Sequence, residues 1–392
     1  MVCFMGRPLV ERVIVKIGSS SLINDDYSVN FSVLDNIMKS IKILKDNNIM
    51  TALVTSGAIA VGMHELGLSM RPKSMVLKQA CAAIGQAKLM ESYNKVALGY
   101  GLKTGQILVN HDDFEIRKRM IHLTNTLEAM IKNNVIPIIN ENDALAVEEI
   151  KVGDNDTLAA LIAPMLKADL LILFSDIEGL YDKNPKEYQD AKLIQNIEII
   201  DNKVLAMAST STSSVGTGGM YSKLSAAVIA TTSGCNMIIC NSSNISNLNC
   251  IVNGKQIGTF FKASKKAISS REHWMIFKSK AYGSITIDAG VVGMLEDKKI
   301  SILPKGIISV DGVFSKGSII DINDENGNII AKGISNYSSL EIDIIKNNDS
   351  NYISSLLGYE GKEEVIHAND LVKIIRESSY YEWFINKNKK CS

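Results

Sequence analysis

Two lysines stand next to glycine-containing turns, where they could bind an anion such as a phosphate group. Lys16 ends an apolar run in "VIVKIGSSSL", and Lys223 follows the glycine loop of "VGTGGMYSKLSAA". Glycine lets backbone N–H groups approach an anion, and the ammonium groups add positive charge. Neither segment has the spacing of a P-loop or of a dinucleotide-binding G-x-G-x-x-G turn. An ordinary strand-end lysine and a plain flexible loop are the alternative interpretations.

A polar triplet, Asp154, Asn155 and Asp156, precedes an apolar helical run in "KVGDNDTLAALIA". One side chain is enough to cap the start of a helix. Capping of a helix that begins near Thr157 therefore explains one of the three residues at most. We expect the triplet to face a ligand, with capping as the alternative.

A second turn that opens a helix lies in "LVTSGAIAVGM", where Ser56 and Gly57 follow an apolar strand. The free N–H groups and the positive end of the helix dipole at such a turn can hold a carboxylate or a phosphate. Simple N-capping of the helix by Ser56 is the alternative, and the two interpretations are compatible.

The elements that must position these residues are short apolar strands that alternate with longer helical patterns up to about residue 260. We predict strands at 12–18, 50–57, 105–110, 135–140, 169–176 and 236–240, and helices at 33–48, 74–101 and 157–168. The near-continuous apolar runs are typical of strands buried on both faces, and the alternation predicts an α/β fold, a mostly parallel sheet sandwiched by helices. Ligands bind beyond the carboxyl ends of such strands, where the polar segments lie.

The sequence changes character after about residue 275, where short strands with glycine turns follow one another. This spacing is typical of a small all-β barrel of about 100 residues. We expect a catalytic domain at 1–265, a linker at 266–278, the small β domain at 279–380 and a flexible tail at 381–392.

The composition favours small-molecule ligands. Among 392 residues, Lys and Arg together number 42 and so do Asp and Glu, so the net charge of +0 favours neither nucleic acid nor an anionic membrane as the main partner. The six cysteines lack metal-ligand spacing and are expected to be free thiols of a reducing cytosol. With no signal peptide and no apolar run approaching ~20 residues, we expect a cytoplasmic protein.

Several segments, taken in order, resemble the glutamate 5-kinases (gamma-glutamyl kinases), a branch of the amino acid kinase superfamily. They are "VIVKIGSSSL", "LVTSGAIAVG", "PIINENDALAVEEIKVGDNDTLAA", "LLILFSDIEGLYDKNP" and "VGTGGMYSKLSAA". The later segment "SILPKGIISVDGVFSKGSIIDINDENGNIIAKGISNYSS" resembles the PUA domain that bacterial members often append. The resemblance implies an amino acid kinase fold followed by a PUA barrel. It also implies ATP-dependent phosphorylation of the γ-carboxylate of L-glutamate, the first step of proline biosynthesis.

The resemblance also implies roles for particular residues. Lys16 and Lys223 match the cations that reach the phosphates, and Asp156 matches the carboxylate that orients both ammonium groups. The positions that match the glutamate site are Ser56, Gly57, Asp143 and Asn155. Those that match the ATP site are Lys16, Ser175, Asp176, Thr217, Gly218, Gly219, Met220, Tyr221, Ser222 and Lys223. Ser175 stands where threonine is common, and Asn184 stands where aspartate is common, which bears on the details of nucleotide contact.

The implied cofactors are ATP and Mg²⁺, and the sequence identifies no carboxylate cluster as protein ligands of the metal. A homotetramer or homodimer, inhibition by proline and hand-off of the acyl phosphate to glutamyl phosphate reductase are further implications. Two alternatives stay open. One is a sibling kinase acting on aspartate, N-acetylglutamate or a nucleoside monophosphate; the other is an RNA-binding protein, since PUA domains elsewhere bind RNA. The mixed charges of residues 279–380 disfavour RNA binding.

Overall fold

A computed structural model describes residues 10–110, 112–145, 155–185, 187–207, 219–265, 267–277 and 281–374. The chain divides into two compact units, Met1–Ser270 and Arg271–Ser392. This division falls inside the segment 266–278 that we expect to link the domains. The expected tail at 381–392 lies outside the described residues.

The first unit is built on a sheet that, in the described part of the chain, has eight strands in the order β3-β4-β2-β1-β5-β7-β8-β6. The strands are β1 Arg12–Ile17, β2 Met50–Val54, β3 Lys103–Val109, β4 Val135–Glu141, β5 Leu170–Ser175, β6 Asn196–Ile197, β7 Asn236–Asn241 and β8 Thr259–Phe261. The pairs are parallel except β7 with β8, which is antiparallel. The mostly parallel α/β fold is confirmed, with the six predicted strands present.

The helices of the first unit cover this sheet. They are α1 Ser19–Leu22, α2 Phe31–Asp46, α3 Ala58–Glu65, α4 Met75–Gly99, α5 Asp112–Glu115, α6 Arg117–Lys132, α7 Asn155–Leu166, α8 Asn202–Met207, α9 Met220–Thr232 and α10 Leu248–Val252. The three helices predicted from the pattern correspond to α2, α4 and α7. Apolar side chains of α2, α4, β1 and β5 share one core, which includes Leu34, Tyr93, Val15 and Ile172.

Strand β3 departs from the prediction that the strands are buried on both faces. Among the described residues it pairs with β4 alone, at the edge of the sheet, and most of its side chains are partly or fully exposed. A run such as "GQILV" has the β-branched and aliphatic composition of any strand, so composition does not separate an edge strand from a central one. The prediction of full burial was wrong for β3.

Helices α3 and α4 pack in unusually close contact. A Cβ on Gly62 would lie 1.8 Å from the carbonyl oxygen of Cys81, and one on Gly85 would lie 1.9 Å from the carbonyl oxygen of Ala58. Only glycine allows two helix backbones to approach this closely. This contact fixes α4 beside the carboxyl ends of β2 and β4, where the next residue, Gln86, is buried.

The second unit contains, among its described residues, a five-stranded sheet in the order β10-β9-β11-β12-β13. The strands are β9 Gly283–Ile287, β10 Ile307–Gly312, β11 Ile319–Asn323, β12 Ile329–Ile334 and β13 Leu371–Lys373. The pairs are antiparallel except β9 with β11. The small β domain is therefore confirmed as a mostly antiparallel sheet, although helices accompany it and it is not all-β.

Helices that the sequence analysis did not identify accompany this second sheet. They are α11 Ser270–Phe277, α12 Ala289–Asp297, α13 Ser339–Ile345 and α14 Ile353–Leu357. Asp288 caps α12 by accepting a hydrogen bond from the N–H of Val291, and Ser338 forms a capping box with Glu341 at α13. None of the helices in the described residues has the length and apolar character needed to cross a membrane.

Candidate active site

Lys16 lies near the end of β1, the strand between β2 and β5 in the middle of the sheet. Its neighbours in the strand, Val15 and Ile17, are buried in the core. A lysine in such a strand is stable only when its ammonium group meets a partner of opposite charge. The partner comes from the first turn of α7.

Asp156 places one carboxylate between two lysines. Its Oδ1 lies 2.6 Å from Nζ of Lys16, and its Oδ2 lies 3.1 Å from Nζ of Lys223, which α9 carries in its first turn. Asp156 is 0% exposed, Lys16 8% and Lys223 3%, so the ion pairs are shielded from water. The structure thus brings together the three residues that the resemblance identifies as catalytic.

The electrostatic balance of this cluster favours binding of an anion. Burial disfavours the charged form of Asp156, but the positive charges of Lys16 and Lys223 outweigh it and hold the pKa of the carboxyl below its ordinary value. The carboxylate is therefore ionised at neutral pH, and two ammonium groups share its single negative charge. The excess positive charge of the three side chains can be balanced by a phosphoryl group.

The start of α9 adds hydrogen-bond donors to the same place. Gly219 occupies the N-cap position, which leaves the first turn without a capping side chain of its own. Ser222 donates a hydrogen bond from Oγ to the carbonyl oxygen of Gly219 at 2.8 Å and lies 3.5 Å from Oδ2 of Asp156. Thr217 and Gly218, which we predict at the ATP site, lie outside the described residues, as does Asp154.

Ser56 contacts Asn155, the first residue of α7. Nδ2 of Asn155 donates to Oγ of Ser56 at 2.7 Å and to the carbonyl oxygen of Thr55 at 2.6 Å. The N-cap of α3 is Gly57, whose φ of 104° lies in the left-handed region, and Ser56 makes no cap hydrogen bond. The alternative that Ser56 caps this helix was therefore wrong, because Gly57 occupies the N-cap position and the serine hydroxyl accepts from Asn155 instead.

A cavity of about 290 Å³ opens beyond the end of β4, and Asp143 lies in its wall. Its lining consists of Ala58, Ala82, Ala83, Gln86, Ala87, Gln106, Leu108, Glu141, Asn142, Asp143 and Ala144. The alanines leave room for a small ligand, and the two carboxylates favour a positively charged group such as an ammonium. Ala58, which follows Gly57, joins this wall to the turn that carries Ser56.

Two of the residues predicted at the nucleotide, Ser175 and Asp176, lie at the end of β5. Ser175 is buried, and its Oγ donates to Oδ1 of Asp176 at 2.9 Å. Asn241, at the end of β7, donates from Nδ2 to the carbonyl oxygen of Asp176 at 3.3 Å. Asn184 donates from Nδ2 to Oε1 of Glu187 at 2.7 Å, an amide hydrogen bond that an aspartate at this position would lack.

Sequence reasoning missed the buried polar residues that support this site. Asn140 accepts a hydrogen bond from Asn155, and Gln86 accepts one from Asn140. Tyr93, also on α4, places its hydroxyl 2.8 Å from Oγ1 of Thr55, and burial raises the pKa of this tyrosine. In the sequence, these residues of α4 show only as polar side chains within an apolar helix pattern. Such a pattern does not identify the hydrogen-bond partner of each side chain.

The described residues contain no group of three or more His, Cys, Asp or Glu side chains arranged to hold a metal ion. Mg²⁺ commonly keeps phosphate and water ligands rather than an all-protein cage. The described part of this site therefore offers no fit for a metal held by the protein alone.

Comparison with known proteins identifies the family to which the chain belongs. The sequence model of the amino acid kinase family matches residues 11–241, and that of the PUA domain matches residues 283–356. The fold and the site therefore define a member of the amino acid kinase family, a phosphotransferase. The chain is 42% identical over 369 residues to the glutamate 5-kinase of Caldanaerobacter subterraneus subsp. tengcongensis, covering 94% of this chain and 99% of that one. It belongs to the glutamate 5-kinases.

Other relatives extend the comparison. The chain is 41% identical over 369 residues to the glutamate 5-kinase of Thermoanaerobacter sp. strain X514, with 94% of this chain and 99% of that one covered. Among solved structures, it is similar to the carbamate kinase from Giardia lamblia bound to AMP-PNP. That likeness has a TM-score of 0.49 and 14% identity, and it covers 65% of this chain and 99% of that chain.

Proposed function

We propose that this protein transfers the γ-phosphoryl group of ATP to the γ-carboxylate of L-glutamate, which gives L-glutamyl 5-phosphate and ADP. The observation that carries the proposal is the single buried carboxylate of Asp156 between the ammonium groups of Lys16 and Lys223. The kinship with glutamate 5-kinases supports the choice of acceptor. The product would enter proline biosynthesis as its first intermediate.

The chemistry needs cations more than it needs a base. A carboxylate with an ordinary pKa of about 4.3 is already ionised at neutral pH, so no residue has to remove a proton from it. The barrier comes from bringing a carboxylate and a triphosphate together in line. Fixed positive charges at the transferring group lower that barrier.

In the proposed reaction, a γ-carboxylate oxygen of glutamate forms a bond to the γ-phosphorus. The bond from that phosphorus to the bridging oxygen breaks, and its electron pair leaves with ADP. Lys16 and Lys223 hold the phosphoryl oxygens from two sides, while Asp156 holds both ammonium groups in place, one at each of its carboxylate oxygens. Ser175, Asp176 and the start of α9 hold the nucleotide, and Mg²⁺, when bound with ATP, neutralises part of the phosphate charge.

The acceptor would lie between the turn at Ser56 and the cavity beside β4. Asp143 and Glu141 in the cavity wall suit the α-ammonium group of glutamate. Gly57 and Asn155 would hold the rest of the amino acid with its γ-carboxylate toward Lys16. Proline shares an amine and a carboxylate with glutamate but lacks the γ-carboxylate, so proline would compete in this cavity and inhibit the reaction.

Further expectations rest on the likeness to glutamate 5-kinases alone. They are a homotetramer or homodimer, hand-off of the acyl phosphate to glutamyl phosphate reductase, and a role for the PUA domain other than RNA binding.

The experiment that tests the proposal is ATP-dependent formation of hydroxamate, in which hydroxylamine traps the acyl phosphate. L-glutamate is compared with L-aspartate and N-acetyl-L-glutamate. We expect hydroxamate with L-glutamate alone, and its loss in folded Lys223→Ala protein. Hydroxamate with another acceptor, or none with glutamate, would contradict the proposal.

A further inference from the structure

Four side-chain amides form a continuous hydrogen-bonded chain at the candidate active site, and two of them, Gln86 and Gln106, also line the cavity beside β4. Asn155 donates from Nδ2 to Oδ1 of Asn140 at 3.0 Å, and Asn140 donates from Nδ2 to Oε1 of Gln86 at 2.9 Å. Gln86 then donates from Nε2 to Oε1 of Gln106 at 3.4 Å. This amide chain runs from α7 through β4 and α4 to the edge strand β3.

The direction of the amide chain is fixed at one end. The carbonyl oxygen of Thr55, 2.6 Å from Asn155, can only accept a hydrogen bond, so the nitrogen of the Asn155 carboxamide must face it. Thr55, Ser56 and Oδ1 of Asn140, the last at 3.0 Å, share the two N–H groups of that nitrogen. An acceptor rather than a second NH₂ group therefore faces it, which turns Nδ2 of Asn140 toward Gln86. Each amide orients the next one, and the polarity cannot reverse at a single member.

Because the middle of the amide chain is buried, breaking one of its hydrogen bonds is energetically unfavourable. Asn140 and Gln86 are 1% and 7% exposed, so water is not freely available to replace a lost partner. A buried amide that loses its acceptor rotates or shifts to find another, because an unsatisfied donor is unfavourable. Loss of the Gln86 side-chain oxygen would therefore disturb Asn140 and, through Asn140, the carboxamide of Asn155.

Helix α4 is suited to hold the amide chain in place. The close contact of Gly62 and Gly85 with the facing helix fixes the backbone next to Gln86. Two turns further along, Tyr93 meets Thr55, whose carbonyl oxygen is the acceptor that sets the direction. The helix thus supports the carboxamide of Asn155 from two sides.

We propose that Gln86 is a positioning residue for the amino acid substrate. It acts through Asn140 to hold the Asn155 carboxamide with Nδ2 toward the protein, which leaves Oδ1 as the atom of that amide turned to a ligand. Among the described residues, none donates a hydrogen bond to this Oδ1. The inference rests on the proposed function, since Asn155 is taken there to bind glutamate.

The kinetic test compares three variants in the hydroxamate assay. Gln86→Met keeps the length of the side chain and removes both hydrogen bonds, so we expect the KM for L-glutamate to rise about tenfold with the KM for ATP unchanged. Gln86→Glu keeps an oxygen that accepts from Asn140 and should restore the KM for glutamate. Ser92→Ala is the control, because Ser92 is a buried polar residue of α4 whose hydroxyl bonds only within the helix.

A second measurement does not depend on activity. In ligand-free protein with ¹⁵N-labelled asparagine, the side-chain NH₂ signals of Asn140 and Asn155 should move in Gln86→Met and stay in place in Ser92→Ala. Unmoved signals, or a KM for glutamate that stays unchanged in Gln86→Met, would overturn the inference. If the wild-type protein forms no hydroxamate from glutamate, the proposed function fails, and the NH₂ signals still decide whether Gln86 orients Asn155.

Discussion

Replacing Asp156 by asparagine tests the charge arrangement directly, because it removes the negative charge and keeps the size of the side chain. The carboxylate lies 2.6 Å from one ammonium group and 3.1 Å from the other. At an effective dielectric constant near 20, one such pair separated by about 4 Å contributes roughly 4 kcal/mol. Removing one member of a buried ion pair costs about 3–5 kcal/mol, since the remaining charge is uncompensated. We expect the free energy of unfolding to fall by that amount.

The same change should slow the reaction. Without the carboxylate, the two ammonium groups repel each other and lose the orientation that the transferring phosphoryl group needs. A loss of about 3 kcal/mol in transition-state stabilisation lowers kcat roughly a hundredfold. The assay is hydroxamate formation from L-glutamate, with urea unfolding followed by circular dichroism on the same protein.

The matched control for this variant is Asp46→Asn. Asp46 pairs with Lys42 on the surface, where the two side chains are 58% and 39% exposed, and exposed pairs contribute about 0–1 kcal/mol. We expect no change in kcat and little change in stability for the control. A folded Asp156→Asn protein with kcat within about threefold of the wild type would refute the reasoning.

Three further predictions concern pH, thiol reactivity and helix packing. Because the pKa of Asp156 is lowered in the folded protein, its stabilising contribution is full above the ordinary value of 3.8 and is lost as the pH falls through the folded pKa. The stability difference between wild type and Asp156→Asn in urea should therefore shrink in acid, and a constant difference would contradict this. Iodoacetamide at about pH 8 should modify the exposed Cys250 and spare Cys240, whose pKa burial raises to about 12, as mass spectrometry of the native protein can show. Gly85→Ala should lower the free energy of unfolding in urea by about 1–3 kcal/mol, whereas Gly99→Ala, with open space around its Cβ, should not.

The central strands of the fold could be predicted because their pattern is strong. The runs that became β1, β5 and β7 are apolar almost throughout, as burial on both faces requires. Strands β6 and β8 have only two and three residues, which is too short for any periodic pattern. Their existence depends on tertiary pairing, with β8 joining β7 to β6 at the edge of the sheet.

The candidate site was only partly predictable for a related reason. Lys16, Asp156 and Lys223 stand out in the sequence because charged residues interrupt or border apolar runs. The capping role considered for Ser56 failed because the left-handed backbone of Gly57 is a property of the folded turn. Gln86 was missed because its partner lies 54 residues away, and one glutamine in a helix pattern does not show which side chain it will meet.

The pairing of Asp156 with both lysines, called here the lysine bridge, also has a consequence for how the chain folds. Its three charges come from β1, α7 and α9, segments far apart in the sequence that meet only when the central strands have taken their order. A misassembled sheet that buried Lys16 or Lys223 without Asp156 would hold an uncompensated charge, which is strongly unfavourable. The lysine bridge therefore disfavours wrong strand orders, in addition to its role at the active site. It increases the energy difference between the native fold and compact misfolded states.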